Sequence, residues 1–196
     1  MTAMNESLRP ELLTLRANDE SVRRELAADG SLFDGYHPRM EAVHRANAAR
    51  LRVIMDTHGW PGRALVGDDG AEAAWRIAQH AIGEPAFMRA CRDRLDEASF
   101  RGDAERQHFA FLDDRIRAFE GRPQRYGTQL RGGPNGLEPH PLEDESRVEE
   151  RRVQVGLPAL SEVLRKARAA PPPSSRNQAV TDQAELAWRR AVGWTA

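Results

Sequence analysis

The sequence predicts an all-α fold: a compact multi-helix domain with one long functional loop and a C-terminal helical tail. Apolar residues recur at intervals of three and four through most of the 196 residues, and this is the spacing of one face of an α-helix. Residue types that start and stop helices stand at the ends of these periodic stretches. No run with strand periodicity competes with them, so no strand is predicted.

Five helices are predicted before residue 121. Their predicted extents are 7–28, about 40–58, 71–82, from 85 onward, and 103–120. Ser7 is a cap-like start for the first helix, Pro85 suits the first turn of the fourth, and a glycine follows each of the first three. Turn residues between the second and third helices predict a loop over 60–70.

The chain beyond residue 120 is predicted to be less regular. Residues 121–156 are rich in glycine, proline and charge and lack a helical period, apart from a helical turn predicted over 149–155. A loop of this length inside a compact domain is usually functional or disordered. The last helix of the domain is predicted to run from about 157 to 168.

These elements predict three segments. Residues 1–169 form a helical domain, 170–180 a Pro/Ser linker, and 181–196 a short amphipathic C-terminal segment. Trp188 and Trp194 give the last segment large apolar surfaces. Three uses of this segment stay open: docking on its own chain, contact with a second copy in a homodimer, or anchoring of a protein partner. The first two are favoured.

Composition excludes several classes of function. The net charge of −1 gives no general attraction to nucleic acid, and no apolar stretch is long enough for a membrane span. The first residues lack the pattern of a secretory signal, and the single cysteine, Cys91, agrees with a reducing compartment. We therefore expect a cytoplasmic protein with neither nucleic acid nor membrane as a partner. Lys166 is the only lysine, which argues against Schiff-base chemistry.

Several short phrases resemble a known bacterial family. They are His58-Gly59-Trp60-Pro61, Val66-Gly67, Gly70-Ala71-Glu72-Ala73-Ala74-Trp75, Gln79-His80-Ala81, Asp114-Arg115, Gly121-Arg122-Pro123-Gln124-Arg125-Tyr126-Gly127-Thr128-Gln129, Glu143-Asp144, Glu150-Arg151-Arg152 and Val155-Gly156-Leu157-Pro158. Together they resemble domain-of-unknown-function family 6624 over roughly residues 7–166. The resemblance implies a mostly helical domain with a shared polar site, and it names no reaction. The stretch 130–133 and the region after Pro171 depart from the family pattern.

His80 and Asp114 are the candidate catalytic residues. On the helix predicted from Ala71, His80 lies about 180° from the centre of the apolar stripe, at ~100° per residue. Histidine exchanges protons near neutral pH, so His80 is a candidate general acid or base. Asp114 is a candidate to orient His80, or to pair with an arginine of the long loop. A structural role for His80 is the alternative.

The candidate substrate-binding residues cluster around the long loop. They are Gln79, Arg115, Gln124, Tyr126, Thr128 and Gln129. Glycines on both sides of Tyr126 would let the backbone approach a bound molecule, while the side chains supply a hydroxyl group and amides. A loop that only fastens itself to the domain would use the same residue types, so this alternative stays open.

No cofactor or metal ion is expected from the sequence. The pairs His37/His44 and His58/His80 lack a known metal-ligand spacing, and the motifs for phosphate, dinucleotide and serine-hydrolase sites are absent. Cys91 lies on an apolar helix face, which favours a buried structural cysteine over a nucleophile.

Two functions are compatible with this sequence. The first is a small cofactor-free bacterial enzyme that acts on a polar metabolite or a peptide-like substrate, in specialised-metabolite biosynthesis, through His80 acid/base chemistry. The second is a non-catalytic module that binds a ligand or a protein through the same polar loop. Convergence of the candidate residues on one cavity would favour the enzyme.

Overall fold

The computed structural model describes residues 7–133, 136–169 and 178–195. Contacts divide the chain into two compact units, Met1–Glu105 and Arg106–Ala196, and each is described by itself. The predicted all-α class is confirmed: the described residues form eight α-helices and one small two-stranded sheet.

The first unit is built from four α-helices. They are α1 (Leu8–Ala28), α2 (Pro38–His58), α3 (Arg63–His80) and α4 (Pro85–Phe100), with a short 3₁₀ helix at Ser31–Phe33. α1, α2 and α3 pack against one another, and α3 also contacts α4. Their shared core contains fully buried apolar side chains, including Leu12, Leu51 and Leu95. The site described below lies where α1, α2 and α3 meet.

The start of α3 differs from the prediction. A loop was predicted over 60–70, but the helix already begins at Arg63 and is interrupted at Gly67 by a non-helical residue (φ 71°, ψ 174°). Asp103 supports the first turn: its carbonyl oxygen accepts from Arg63 N at 2.9 Å and its Oδ1 accepts from Ala64 N at 2.8 Å. This cap comes from far along the chain, so no local pattern around residue 63 indicated it.

The second unit combines helices with a hairpin. Its helices are α5 (Arg106–Phe119), α6 (Val148–Gln154), α7 (Leu160–Ala169) and α8 (Gln178–Val192), and a 3₁₀ helix covers Glu145–Arg147. Strands β1 (Leu130–Gly133) and β2 (Gly136–Pro139) pair antiparallel, with Leu130 opposite Pro139 and Gly133 opposite Gly136.

The sequence does not predict this hairpin, which lies in the stretch without helical or strand periodicity. Each strand has only four residues and includes glycine, so alternation of apolar side chains could not reveal it. The strands are held instead by their mutual pairing and by α7, which packs on β2. Arg168 Nε on α7 also donates to Leu137 O at 3.1 Å.

The C-terminal segment docks on α5 of its own unit. Arg189 Nη1 on α8 donates to Ala118 O at 3.0 Å, and Trp194 stacks on Phe119 with ring centroids 5.1 Å apart. Trp194 is only 4% exposed. Residues 170–177 of the predicted linker lie outside the described residues, and α8 begins at Gln178. The division into a 1–169 domain, linker and tail stays a prediction.

The backbone at Gly67 gives a test of the interrupted α3. Gly67→Ala should lower the free energy of unfolding by about 1–3 kcal/mol, because this combination of φ and ψ is almost restricted to glycine. A Cβ there would meet no atom closer than 3.6 Å, so the loss would report backbone strain rather than a clash. Urea unfolding followed by circular dichroism would measure it.

Gly83→Ala is the matched control. Its φ lies outside the left-handed region and its nearest new contact, with Tyr36, would be 3.4 Å. It should be neutral or slightly stabilising, because alanine restricts the unfolded chain. Equal stabilities for the two variants would contradict the strained backbone at Gly67.

Candidate functional site

Three ionisable side chains from three helices meet in the first unit. Asp19 of α1, His44 of α2 and His80 at the end of α3 form a group that we call the Asp19 cluster. Asp19 Oδ2 lies 2.9 Å from His80 Nδ1 and 3.2 Å from His44 Nε2. The side chains of Asp19 and His44 are 4% and 8% exposed, whereas that of His80 is 25% exposed. The cluster therefore reaches solvent through His80.

The packing of α1 explains why an acidic residue lies inside the unit. Asp19 is seven residues from Leu12 and seven from Leu26, and both leucines are buried. A separation of seven residues returns to the same face of a helix, so Asp19 lies in the middle of the buried stripe. On α2, His44 is likewise four residues from Met40 and four from Ala48, which are both buried.

His80 comes to the cluster because α3 is covered on more than one side. Buried residues of α3 include Ala73, Ala74, Ile77 and Ala78, and the helix packs against α1, α2 and α4. A position opposite the predicted apolar stripe can therefore still face a neighbouring helix. In the structure His80 faces Asp19.

The pKa of Asp19 indicates a stable buried charge. Burial raises this pKa, but the contacts with His44 and His80 outweigh burial and hold it well below its usual range. His44 Nε2 lies 3.2 Å from Asp19 Oδ2, which is within the distance of an ion pair. This contact is electrostatic. The carboxylate is ionised, so it can only accept hydrogen bonds.

Tyr36 completes the surroundings of His44. Its hydroxyl oxygen lies 2.9 Å from His44 Nδ1, and the two rings stack with centroids 5.6 Å apart. Burial, with a smaller effect of the Glu41 charge, raises the pKa of Tyr36. The hydroxyl group is therefore neutral and can donate to or accept from the imidazole.

Asp114 belongs to a different arrangement, in the second unit. It is fully buried, and its carboxylate accepts from the backbone N–H groups of Arg125 at 2.7 Å, Tyr126 at 3.1 Å and Thr128 at 2.9 Å. Thr128 Oγ1 donates to the same carboxylate at 3.0 Å. Burial raises the pKa of Asp114, and these hydrogen bonds oppose the rise only in part. Asp114 thus holds residues 121–129, which we call the Asp114 loop.

The other polar side chains of this loop bind mainly to the loop itself. Gln124 Nε2 donates to Gln129 O at 3.0 Å, and Gln124 Oε1 accepts from Gln129 N at 3.0 Å. Gln129 Nε2 donates to Thr128 Oγ1, and Arg115 Nε donates to Gln129 Oε1. These contacts are those of a loop that fastens itself.

Tyr126 and Gln79 are both buried. Tyr126 packs in a small apolar core with Ala110 and Leu157, and Arg152 Nη1 donates to its carbonyl oxygen at 2.6 Å. Gln79 precedes His80 on α3 and is 6% exposed. The substrate-binding roles of Gln79, Arg115, Gln124, Tyr126, Thr128 and Gln129 stay predictions, as do the catalytic roles of His80 and Asp114.

The structure joins His80 to partners that the sequence analysis missed. Asp19 belongs to no motif in the sequence, and the spacing of His44 from His37 predicts no metal site. One signal could have found them: each interrupts an apolar helical stripe with an ionisable group, which is rare without a partner. Asp19, His44 and His80 could hold a metal ion, since one ligand atom from each lies within 4.8 Å of the others.

Cys91 offers no second reactive site. Its side chain is fully buried, with Sγ 3.7 Å from Met55 Sδ. Burial raises the pKa of the thiol, which disfavours the thiolate that a nucleophile requires.

The Asp114 loop gives a stability test. Asp114→Asn should lower the free energy of unfolding by about 2–4 kcal/mol, because an amide cannot accept all of the backbone N–H groups that now share the carboxylate. Hydrogen exchange at the amides of 125, 126 and 128 should become faster. Denaturant unfolding and amide exchange would measure the two effects.

Asp144→Asn is the control for this test. Asp144 is partly exposed and accepts from Ser146 N at 3.0 Å, a turn contact that asparagine can also make. Its replacement should change stability far less than Asp114→Asn does. An Asp114→Asn variant with wild-type stability and exchange would contradict the anchoring role.

Within the described residues, no helix combines the length and the apolar character needed to cross a bilayer.

Comparison with known proteins gives a family and no activity. No curated protein and no solved structure matches the chain. A family described as "Family of unknown function (DUF6624)" matches residues 6–171, which confirms the resemblance found in the sequence. The chain therefore belongs to DUF6624, a family of unknown function.

Proposed function

We propose that this chain is an enzyme whose reaction centre is the Asp19 cluster, where His80 transfers a proton to or from a polar substrate. One observation carries the proposal. A buried, ionised carboxylate lies 2.9 Å from an imidazole whose side chain is 25% exposed. One group is thus fixed inside the protein while the other can meet a molecule from solvent.

The carboxylate determines how His80 is used. Because Asp19 can only accept, His80 Nδ1 carries the hydrogen between them, and Nε2 carries the basic lone pair. As a base, Nε2 forms an N–H bond while the X–H bond of the substrate breaks, and the imidazole becomes positive. The negative charge of Asp19 stabilises that positive ring and keeps it oriented, as in other catalytic pairs of aspartate and histidine.

His44 and Tyr36 support this arrangement from the buried side. The neutral Tyr36 hydroxyl can donate to His44 Nδ1, which leaves an N–H at Nε2 facing Asp19. The carboxylate is then held between two imidazoles. Asp19 takes the orienting role that the sequence analysis gave to Asp114, whose carboxylate is engaged by the Asp114 loop.

The alternative of a non-catalytic binding module has less support. The polar side chains that were expected to bind a ligand largely contact their own loop. Trp194, a candidate anchor for a partner in this alternative, is buried against Phe119 of the same chain. The proposal retains the cytoplasmic location and the polar metabolite or peptide-like substrate that the sequence predicted.

A substrate search with matched variants would test the proposal. Purified protein would be incubated with a bacterial small-molecule extract, and mass spectrometry would follow metabolites consumed by the wild type. For any such metabolite, His80→Gln should slow consumption by about 10²–10⁴-fold, because glutamine removes the proton-transfer group while keeping polarity. Asp19→Asn should also slow it, through lost orientation of His80.

His58→Gln is the control, because it makes the same chemical change at an exposed histidine at the end of α2. It should react like the wild type. Circular dichroism would verify that each variant is folded. Unchanged consumption by a folded His80→Gln variant would overturn the proposal, as would a folded wild type that converts nothing in the extract.

A further inference from the structure

We propose that the Asp19 cluster binds one divalent transition-metal ion of the Zn²⁺ class, through Asp19 Oδ2, His44 Nε2 and His80 Nδ1. The inference rests on the proposed reaction centre and goes beyond it by naming a cofactor, which would displace the hydrogen between His80 Nδ1 and Asp19. Its basis is the spacing of the three ligand atoms, the identity of the donors, and two buried polar atoms that lack hydrogen-bond partners.

The spacing of the cluster fits a common ion. Bonds of 2.0–2.2 Å to nitrogen and oxygen place neighbouring ligand atoms roughly 2.8–3.5 Å apart in tetrahedral or octahedral geometry. Asp19 Oδ2 lies 2.9 Å from His80 Nδ1 and 3.2 Å from His44 Nε2. Two of the three separations are therefore those of adjacent ligands, and the third, between the two histidine nitrogens, is within 4.8 Å.

The donors select the class of ion. Two imidazole nitrogens and one carboxylate oxygen suit Zn²⁺ and the neighbouring transition metals, whereas Ca²⁺ and Mg²⁺ prefer oxygen alone. Three protein ligands also leave at least one position open, which is typical of catalytic rather than structural sites. The partly exposed side of His80 gives solvent a route to that position.

Unsatisfied atoms in the cluster give an independent reason. Among the described residues, Asp19 Oδ1 and His44 Nε2 are buried and have no hydrogen-bond partner. A buried polar atom without a partner costs roughly 1–3 kcal/mol. A cation in contact with His44 Nε2 and the Asp19 carboxylate would compensate both atoms. The hydrogen bond between Asp19 and His80 compensates neither of them.

Tyr36 fits the role of a residue that positions a metal ligand. When His44 Nδ1 donates to the Tyr36 oxygen, 2.9 Å away, the lone pair of Nε2 faces Asp19. Two electron-rich atoms then face each other at 3.2 Å, and a cation between them turns repulsion into attraction. Histidine ligands commonly donate their other ring nitrogen in this way.

The ion would change which group moves the proton. With the ion on Nδ1, His80 is a ligand, and the proton-transfer role passes to a water molecule at the open position. Zn²⁺ lowers the pKa of such a water to about 7. The reaction centre is therefore the same in both proposals, and they differ in the group that acts there.

Direct metal binding would test the inference. The full chain would be treated with a chelator, exchanged into metal-free buffer and titrated with Zn²⁺ by calorimetry and with Co²⁺ by visible absorption. We expect one ion per chain, and an affinity at least about 100-fold lower in Asp19→Asn, His44→Gln and His80→Gln. Tyr36→Phe should weaken binding by about 10–100-fold, while His58→Gln should match the wild type.

His80→Cys makes the test specific, and it uses the partly exposed position, where a variant is least disruptive to folding. A cysteine at 80 keeps a metal ligand, so Co²⁺ should still bind and should show a thiolate-to-cobalt charge-transfer band that the wild type lacks. The band would show that residue 80 contacts the ion. Absence of the band in folded protein, or wild-type binding no tighter than in His80→Gln, would overturn the inference.

The two proposals fail in different ways. A wild type that consumes a substrate after chelation, through His80 and without binding an ion, would overturn the metal inference and leave the proposed function intact. A wild type that binds one ion at these ligands and converts no metabolite would support the metal site and overturn the enzyme proposal.

Discussion

A buried negative charge is the constraint around which the first unit is built. Asp19 lies on the apolar stripe of α1, where an isolated carboxylate would cost several kcal/mol. That cost is offset by imidazoles from α2 and α3, so the three helices must keep their relative positions. Removing one partner from a buried charge typically costs about 3–5 kcal/mol. The side chains of the Asp19 cluster therefore contribute both to the packing of the three helices and to the proposed proton transfer.

Two buried aspartates of this chain have different partners and therefore different roles. Asp114 is surrounded by backbone N–H groups, which cannot give up their protons, so its charge orders a loop. Asp19 is surrounded by imidazoles, which can gain or lose protons or bind a cation. Both residues are buried. The partners of the carboxylate, rather than its burial, make Asp19 the better candidate for chemistry.

Sequence periodicity located most of the helices but not the contacts between them. The heptad spacing around Asp19 and the four-residue spacing around His44 are visible in the sequence. They show which residues share a face of one helix, but not which residues of another helix that face contacts. His80 and Asp19 are 61 residues apart and meet only because α1 packs on α3. The first turn of α3 was missed for the same reason, since Asp103 supports it from a distance. His80 was found because its position conflicted with a simple apolar stripe.

The phrases that carry the family resemblance divide into two physical groups. The string from Gly121 to Gln129, with Asp114, is occupied by hydrogen bonds that fix a loop, so residue types there are explained by folding alone. In Gln79-His80-Ala81, the histidine both pairs with a buried charge and keeps a partly exposed side chain that a molecule from solvent can reach. A shared polar string thus does not by itself indicate a binding site. The stronger indication is an ionisable side chain placed between a buried charge and solvent, and in the described residues His80 has that position.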